Sequence, residues 1–159
     1  MVRRFRGLSA GLIVFLFLGG AFKAVGQAAA PQHAAHLAYD AEMAEVGHDC
    51  PDQLTLEDRN ECMNNVRVQT YKNFDAFFTA LREALIDESP NDSNALALDA
   101  TQLGFEKYRT QTCDAVSNVY DVGTIKHPGS TRPSARTRCL IDLTRSRMRD
   151  LAHLYEPSL

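Results

Sequence analysis

The sequence of 159 residues contains no tryptophan, and aromatic residues make up only 8% of it. No segment alternates apolar and polar residues as a half-buried strand does, and no stretch of the chain repeats. The scarcity of large side chains limits the core that a domain of this size can form. These absences disfavour a β-sheet domain and a repeat protein, and they favour one small domain that gains stability from covalent cross-links.

Cysteine is also scarce, with 11, 50 and 25 residues separating the four positions Cys50, Cys62, Cys113 and Cys139. Structural zinc sites usually contain two cysteines a few residues apart, and this spacing includes no such pair. His33 and His36 lie in an alanine-rich stretch without a third ligand nearby. We therefore expect no metal ion and no other cofactor.

The N-terminus has the composition of an export signal. Arg3, Arg4 and Arg6 make it positive, and an apolar core follows at Leu8–Phe22. This run is shorter than the roughly 20 residues that cross a bilayer, which disfavours the alternative of an uncleaved membrane anchor. We expect a signal peptide over residues 1–26 and a periplasmic or secreted product with no membrane segment. Removal of the four basic residues in this segment changes the formal net charge from −3 to −7.

The residues after the signal predict a leader and a first helix. Residues 27–46 are rich in alanine without a strong apolar period, so we expect a flexible leader before a helical domain over residues 47–159. The first helix begins near Thr55, where Thr55 and Asp58 resemble a capping box, and continues to about Ile86. Its buried stripe recurs at spacings of three and four and consists of Met63, Val66, Thr70, Phe74, Phe77, Leu81 and Leu85.

Two more helices are predicted downstream. The second runs from about Ser93 to Tyr120, and a loop rich in glycine and proline over residues 123–136 follows it. The buried side of the second helix is expected to consist of Leu96, Ala100, Leu103, Tyr108, Val116 and Val119. The third helix is expected to bury Leu140, Leu143, Leu151 and Leu154 and to expose Arg145 and Arg149. The predicted fold class is all-α, a small bundle of three main helices with two disulfides.

An even number of cysteines in an exported chain predicts two disulfides, each contributing roughly 3 kcal/mol by restricting the unfolded chain. Cys113 lies late in the second helix and Cys139 early in the third, so an antiparallel hairpin brings them together. The extended residues after Cys50 can reach Cys62, which lies about 10 Å along the first helix. We therefore predict Cys50–Cys62 and Cys113–Cys139, although four cysteines allow three connectivities.

Two motifs and the opening cysteines resemble a known family. The motifs are Gln102-x-x-Phe105-x-x-Tyr108-Arg109-x-x-x-Cys113 and Cys139-x-x-x-Leu143-Thr144-x-x-Arg147-x-x-x-Leu151, with Cys50 and Cys62 before them. Together they resemble the lysozyme inhibitor LprI family over roughly residues 50–154. Phe105 stands where that family tends to have tryptophan. The resemblance implies an exported helical domain that acts by protein binding, with lysozyme inhibition as its most specific activity.

Four polar motif residues lie next to predicted core positions, namely Gln102, Arg109, Thr144 and Arg147. Polar side chains in such positions need hydrogen-bond partners. We therefore predict a buried polar network that connects the second helix to the third. Direct contact of these residues with a ligand is the alternative.

Residue pairs that could support catalysis are few. His48 precedes Asp49 and Cys50, and Glu57 and Glu61 lie one helical turn apart, but neither group has a third member or an oxyanion-stabilising pattern. A disulfide would also prevent Cys50 from acting as a nucleophile. We expect a binding protein and not an enzyme.

Charge distribution is the main indication of a partner. Residues 40–109 contain 15 acidic and 6 basic residues, whereas residues 121–149 contain 2 acidic and 7 basic ones. The acidic part could attract a cationic protein such as lysozyme. Alternatively, four basic residues in and beside the predicted loop could enter an acidic glycosidase cleft, namely Lys126, Arg132, Arg136 and Arg138.

Other partner classes follow from the same composition. A structural or stress-related envelope protein that binds peptidoglycan or another cell-wall component is the alternative function, and a merely solvated charged surface is a third interpretation. Nucleic acid is not expected for an exported acidic domain. The sequence leaves the oligomeric state open.

Overall fold

The computed structural model describes residues 30–51, 54–88, 91–121 and 132–155. These ranges contain four helices and no strand: α1 (Pro31–Ala44), α2 (Leu56–Glu88), α3 (Ser93–Asp121) and α4 (Arg132–Leu154). The all-α prediction is confirmed, with one helix more than expected. The predicted signal peptide and most of the predicted loop over residues 123–136 lie outside the described residues. No described helix has the length and apolar content to span a membrane.

The additional helix, α1, occupies residues predicted to be a flexible leader, so that prediction is wrong for Pro31–Ala44. Proline at the start of α1 suits a helix because its fixed φ is already helical and the first N–H groups of a helix have no intrahelical partner to lose. Ala35 is completely buried, and Tyr39 packs against the core cluster with its ring centroid 6.2 Å from that of Phe77. Sequence periodicity missed this helix because small alanine side chains form much of its packed face.

Helix α2 agrees closely with its prediction. The Thr55 hydroxyl accepts a hydrogen bond from the Asp58 backbone N–H at 3.2 Å and donates to the Asp58 carboxylate at 2.6 Å. This arrangement satisfies a free N–H at the start of the helix. Most of the predicted stripe is buried, namely Met63, Thr70, Phe74, Phe77, Leu81 and Leu85, and Val66 is half-buried.

The predicted face of α3 is wrong. Leu96, Leu103 and Val119 were expected in the core and are 62%, 72% and 71% exposed. The buried positions are instead Ala95, Leu98, Gln102, Cys113 and Ser117, with Tyr108 exposed and Val116 half-buried. Small and polar residues occupy this face because α3 approaches α4 closely, through a disulfide and hydrogen bonds. Counting large apolar residues therefore selects the wrong stripe.

Helix α4 begins at Arg132, before the predicted end of the loop at Arg136. Its buried residues are Leu140, Ile141, Thr144, Arg145, Met148 and Leu151, whereas Leu143 is half-buried and Leu154 is 68% exposed. Arg145 was predicted to face solvent and is instead only 4% exposed. This position has the largest consequence for the candidate site.

Both predicted disulfides are confirmed. Cys50–Cys62 joins the segment after α1 to the start of α2, and the Cα atoms are 6.1 Å apart. Cys113–Cys139 joins α3 to α4 with Cα atoms 5.5 Å apart.

Candidate functional site

A buried ionic network joins α1, α4 and the segment before Cys50. The Arg145 guanidinium donates from Nε to Glu42 Oε1 at 2.6 Å and from Nη1 and Nη2 to the two Asp49 carboxylate oxygens at 2.9 and 2.8 Å. The side chains of Arg145 and Glu42 are 5% and 1% exposed. Because the Asp49 contact is bidentate, it fixes the orientation of the guanidinium as well as its position. We call Glu42, Asp49 and Arg145 the ionic clamp.

Helix α2 completes the hydrogen bonding of the clamp. Thr70 donates its hydroxyl to Glu42 Oε1 at 2.8 Å, and Asn73 donates its amide to Glu42 Oε2 at 2.8 Å. Burial lowers the pKa of Arg145, but its hydrogen bonds to Asp49 and Glu42, together with their negative charges, outweigh burial and raise the pKa above its usual value. The guanidinium is therefore charged at all physiological pH values.

The clamp borders a cavity of about 250 Å³. Its wall consists of Ala41, Glu42, Glu45, Asp49, Val66, Gln69, Thr70, Asn73 and Arg145. The polar groups of the clamp already form hydrogen bonds with one another and with Thr70 and Asn73 in the cavity wall. In the described ranges, no three His, Cys, Asp or Glu residues lie close enough to hold a metal ion.

The Cys50–Cys62 disulfide positions the acidic end of the clamp. Asp49 directly precedes Cys50, and the Sγ atom of Cys62 lies 3.4 Å from the Asp49 carbonyl oxygen. This is a nonbonded contact, because a disulfide sulfur has no hydrogen to donate. The cross-link therefore holds Asp49 over α2, within reach of Arg145.

The sequence did not predict the clamp because its residues are far apart along the chain. Two of them also lay in segments for which a different structure was predicted. Glu42 fell in the predicted leader, and Arg145 on the predicted exposed face. One signal was available: Ile141, Arg145 and Met148 recur at helical spacing and all are buried. A charged residue inside an apolar stripe indicates a buried partner of opposite charge.

The residues predicted to form a polar network are brought together only in part. Arg109 donates to Thr144 at 3.0 Å, linking α3 to α4, and Thr144 donates to the carbonyl of Leu140 at 2.7 Å. Arg147 makes a second link by donating to Thr101 at 2.8 Å, a partner that the sequence analysis had not named. Gln102 does not cross between helices.

The Gln102 amide donates instead to Glu106 on its own helix at 3.2 Å. Its carbonyl Oε1 is buried and has no hydrogen-bond partner among the described residues. The same holds for the Nε atoms of Arg109 and Arg147. Over the residues that the structure describes, the three buried side-chain atoms without partners all belong to the two sequence motifs.

Three arginines alternate with two aromatic rings across α2, α3 and α4. The Arg67 guanidinium carbon is 5.4 Å from the Tyr71 ring centroid, and that of Arg109 is 4.5 Å from the same centroid. Arg109 also lies 5.4 Å from the Phe105 centroid, and Arg147 lies 5.6 Å from it. We call these five residues the arginine–aromatic face. Each lies within the range of favourable cation–π attraction.

The arginines of this face differ from others in the described ranges that pair with carboxylates. Arg82, Arg136 and Arg145 each lie within 4 Å of a carboxylate, and no such pair is seen there for Arg67, Arg109 or Arg147. Burial lowers the pKa of Arg147, and electrostatic interactions with Asp150 and Tyr155 oppose that effect only in part. The face therefore presents cationic groups that are partly desolvated.

The basic residues predicted to contact a partner are placed differently from one another. Arg136 forms an ion pair with Asp114 at 2.7 Å, so its charge is partly used within the fold. Arg138 is exposed on α4. Arg132 is the first residue of α4, and Lys126 lies outside the described residues.

Comparison with known proteins gives one match. The family model described as lysozyme inhibitor LprI matches residues 50–151, more than half of the chain. The matched range includes both disulfides and helices α2 to α4 up to Leu151, and it excludes α1. No curated protein and no solved structure matches the chain.

Proposed function

The chain belongs to the lysozyme inhibitor LprI family, and from this membership we propose that it is an exported, non-enzymatic protein that binds and inhibits lysozyme. The observation that carries the proposal is the family match over residues 50–151, which include both disulfides. Two disulfides in the structure are compatible with an oxidising compartment outside the cytoplasm. The signal peptide over residues 1–26 is part of the same proposal.

Overall charge supports a cationic protein partner. Without the proposed signal the chain has a formal net charge of −7. Opposite net charges accelerate the diffusional encounter of two proteins and suppress association with partners of like charge. A basic lysozyme would be attracted to this molecule before any specific contact forms.

The activity test measures lysis of a cell-wall suspension by lysozyme as loss of turbidity, with and without the purified oxidised protein. We expect inhibition that saturates near equal molar amounts if binding is tight. The matched control is the same protein after reduction and alkylation, which removes both cross-links. Absence of inhibition at a large molar excess would contradict the proposal, and binding to insoluble peptidoglycan without inhibition would favour the envelope-protein alternative.

A more specific version of this proposal assigns the contact with lysozyme to the basic residues around the start of α4. Arg132 and Arg136, with Lys126 and Arg138, would contact the acidic cleft of the enzyme. Charge reversal of Arg132 and Arg136 should then abolish inhibition without changing helical content. Because reversal at Arg136 also disrupts its contact with Asp114, Arg138→Glu provides a cleaner test of charge alone. Full potency in these variants would remove this version.

A further inference from the structure

We propose that the arginine–aromatic face is the surface that contacts the protein partner, and that it binds carboxylate groups on that partner. The face consists of Arg67, Tyr71, Phe105, Arg109 and Arg147, contributed by three helices. The inference rests on the proposed function in taking that partner to be lysozyme. It is an alternative to contact through the basic residues near the start of α4, because both versions assign the same carboxylates of the enzyme.

The arginines of this face have fewer hydrogen-bond partners within the fold than Arg145 of the ionic clamp. All three guanidinium nitrogens of Arg145 donate to carboxylates, and Glu42 accepts from three side chains, so the clamp has its partners inside the fold. Arg109 and Arg147 each donate one hydrogen bond, to a threonine, and each has a buried Nε without a partner. A guanidinium has five N–H donors. Most donors of this face therefore remain for water or for a partner.

A second observation is the unpartnered carbonyl of Gln102. This residue is 8% exposed, and it lies on α3 one turn before Phe105 and two turns before Arg109. A buried polar atom without a partner costs about 1–3 kcal/mol, so a protein seldom retains one that has no role. Three such atoms on motif residues show that the fold leaves hydrogen-bonding groups beside this face unsatisfied.

The residue types also suit a protein interface. Arginine and tyrosine are among the residues that most often dominate binding energy. Stacking on Tyr71 and Phe105 holds the guanidiniums in place before binding, which lowers the entropy lost on association. Phe105 also packs against the core residue Phe74, with ring centroids 6.3 Å apart. The face is therefore rigidly supported from beneath.

The partner chemistry follows from two scales of charge. Locally, the planar guanidinium matches a carboxylate in a two-bond arrangement. At long range, the net charge of −7 repels polyanions and attracts a basic protein. The combination selects a cationic protein that presents a few carboxylates, and the two carboxylates of a glycosidase cleft meet that description.

The binding test compares two variants of the face with a matched control. Arg67→Gln and Arg147→Gln each remove one charge, whereas Arg109 is left intact because it bonds the buried Thr144. The control is Arg82→Gln, since Arg82 lies on the same helix as Arg67 and pairs with Asp99 outside the face. We expect about tenfold weaker lysozyme affinity for each face variant and less than about twofold change for the control.

Circular dichroism and thermal unfolding establish that all three variants are folded. Unchanged affinity in Arg67→Gln and Arg147→Gln would overturn the proposal. Loss of affinity equal to that of Arg82→Gln would overturn it as well, because the effect would then come from net charge and not from this face.

A second measurement separates this inference from the proposed function. The arginine Nε–H signals of the isotopically labelled protein are followed by NMR during titration with a lysine-rich peptide that carries two glutamates, with the same peptide carrying glutamines in their place as control. We expect shifts for Arg67, Arg109 and Arg147 and none for Arg82. If the wild-type protein does not bind lysozyme, the proposed function is wrong, and this titration alone then tests whether the arginine–aromatic face binds carboxylates. Absence of shifts would overturn that inference.

Discussion

Replacement of Arg145 by methionine should strongly destabilise the fold. Methionine approximates the length of the arginine stem but donates no hydrogen bond. The substitution leaves the Glu42 carboxylate, which is 1% exposed, without its positive partner. Asp49 loses a bidentate contact but is 27% exposed and can be solvated. The main cost therefore arises at Glu42.

The magnitude follows from the contacts that are lost. Arg145 makes three charged hydrogen bonds of 2.6 to 2.9 Å, each worth about 1.5–3 kcal/mol. Removing the guanidinium also removes the cost of burying it, so the net loss is smaller than their sum. Breaking a buried pair by removing one partner typically costs about 3–5 kcal/mol. Domains of this size have unfolding free energies of about 5–15 kcal/mol, so the loss is a large fraction of the total.

The assay is urea unfolding of the oxidised protein, followed by circular dichroism at the helical band. With a slope of about 1.5 kcal/mol/M, the midpoint should fall by about 2–3 M. The control is Arg149→Met, an exposed position one turn further along α4, where the change should remain within about 0.5 kcal/mol. Combining Arg145→Met with Glu42→Gln should cost about 1–3 kcal/mol less than the two single losses added together.

Two results would refute this reasoning. A loss below about 1 kcal/mol for Arg145→Met would show that the clamp is not the main connection between α1 and α4. Strict additivity in the double variant would show that Glu42 and Arg145 do not interact energetically, despite the 2.6 Å contact.

Three further predictions follow from the fold. Replacing Cys113 and Cys139 by alanine should lower the unfolding free energy by about 3.5 kcal/mol. The same replacement of the Cys50–Cys62 disulfide should lower it by only about 2.8 kcal/mol, because the sequence separation is 12 and not 26. Equal losses measured by denaturation would contradict the loop-entropy argument. Burial raises the pKa of Asp142 above 3.8, so its ionised form disfavours folding at neutral pH, and Asp142→Asn should stabilise slightly at pH 7. That gain should vanish below about pH 3.8, where the carboxyl is protonated in both states; a gain independent of pH would refute the assignment. Leu98→Ala should lower the unfolding free energy by about 2–5 kcal/mol, because Leu98 is 0% exposed. Leu103→Ala should change it little, because Leu103 is 72% exposed. The reverse order in thermal unfolding would show that α3 packs by its other face.

The accuracy of the sequence predictions followed the size of the packed side chains. Helix α2 was predicted nearly complete because phenylalanine and leucine recur along its buried stripe, as at Phe77 and Leu81. Both disulfide pairs were predicted because chain reach and an antiparallel hairpin favour this pairing over the other two connectivities. Helix α1 was not predicted, and the wrong side of α3 was predicted to be buried, because the packed surfaces of both helices contain alanine, cysteine and polar residues.

Local spacing and short chain reach were enough to predict the helical class and the disulfide pairs. Which charges are buried depends on how segments far apart in the chain pack together. Arg145 meets Glu42 and Asp49 across 103 and 96 residues, and no local pattern encodes a contact at that separation. The arginine–aromatic face likewise exists only when three helices pack side by side, because each contributes one or two of its members.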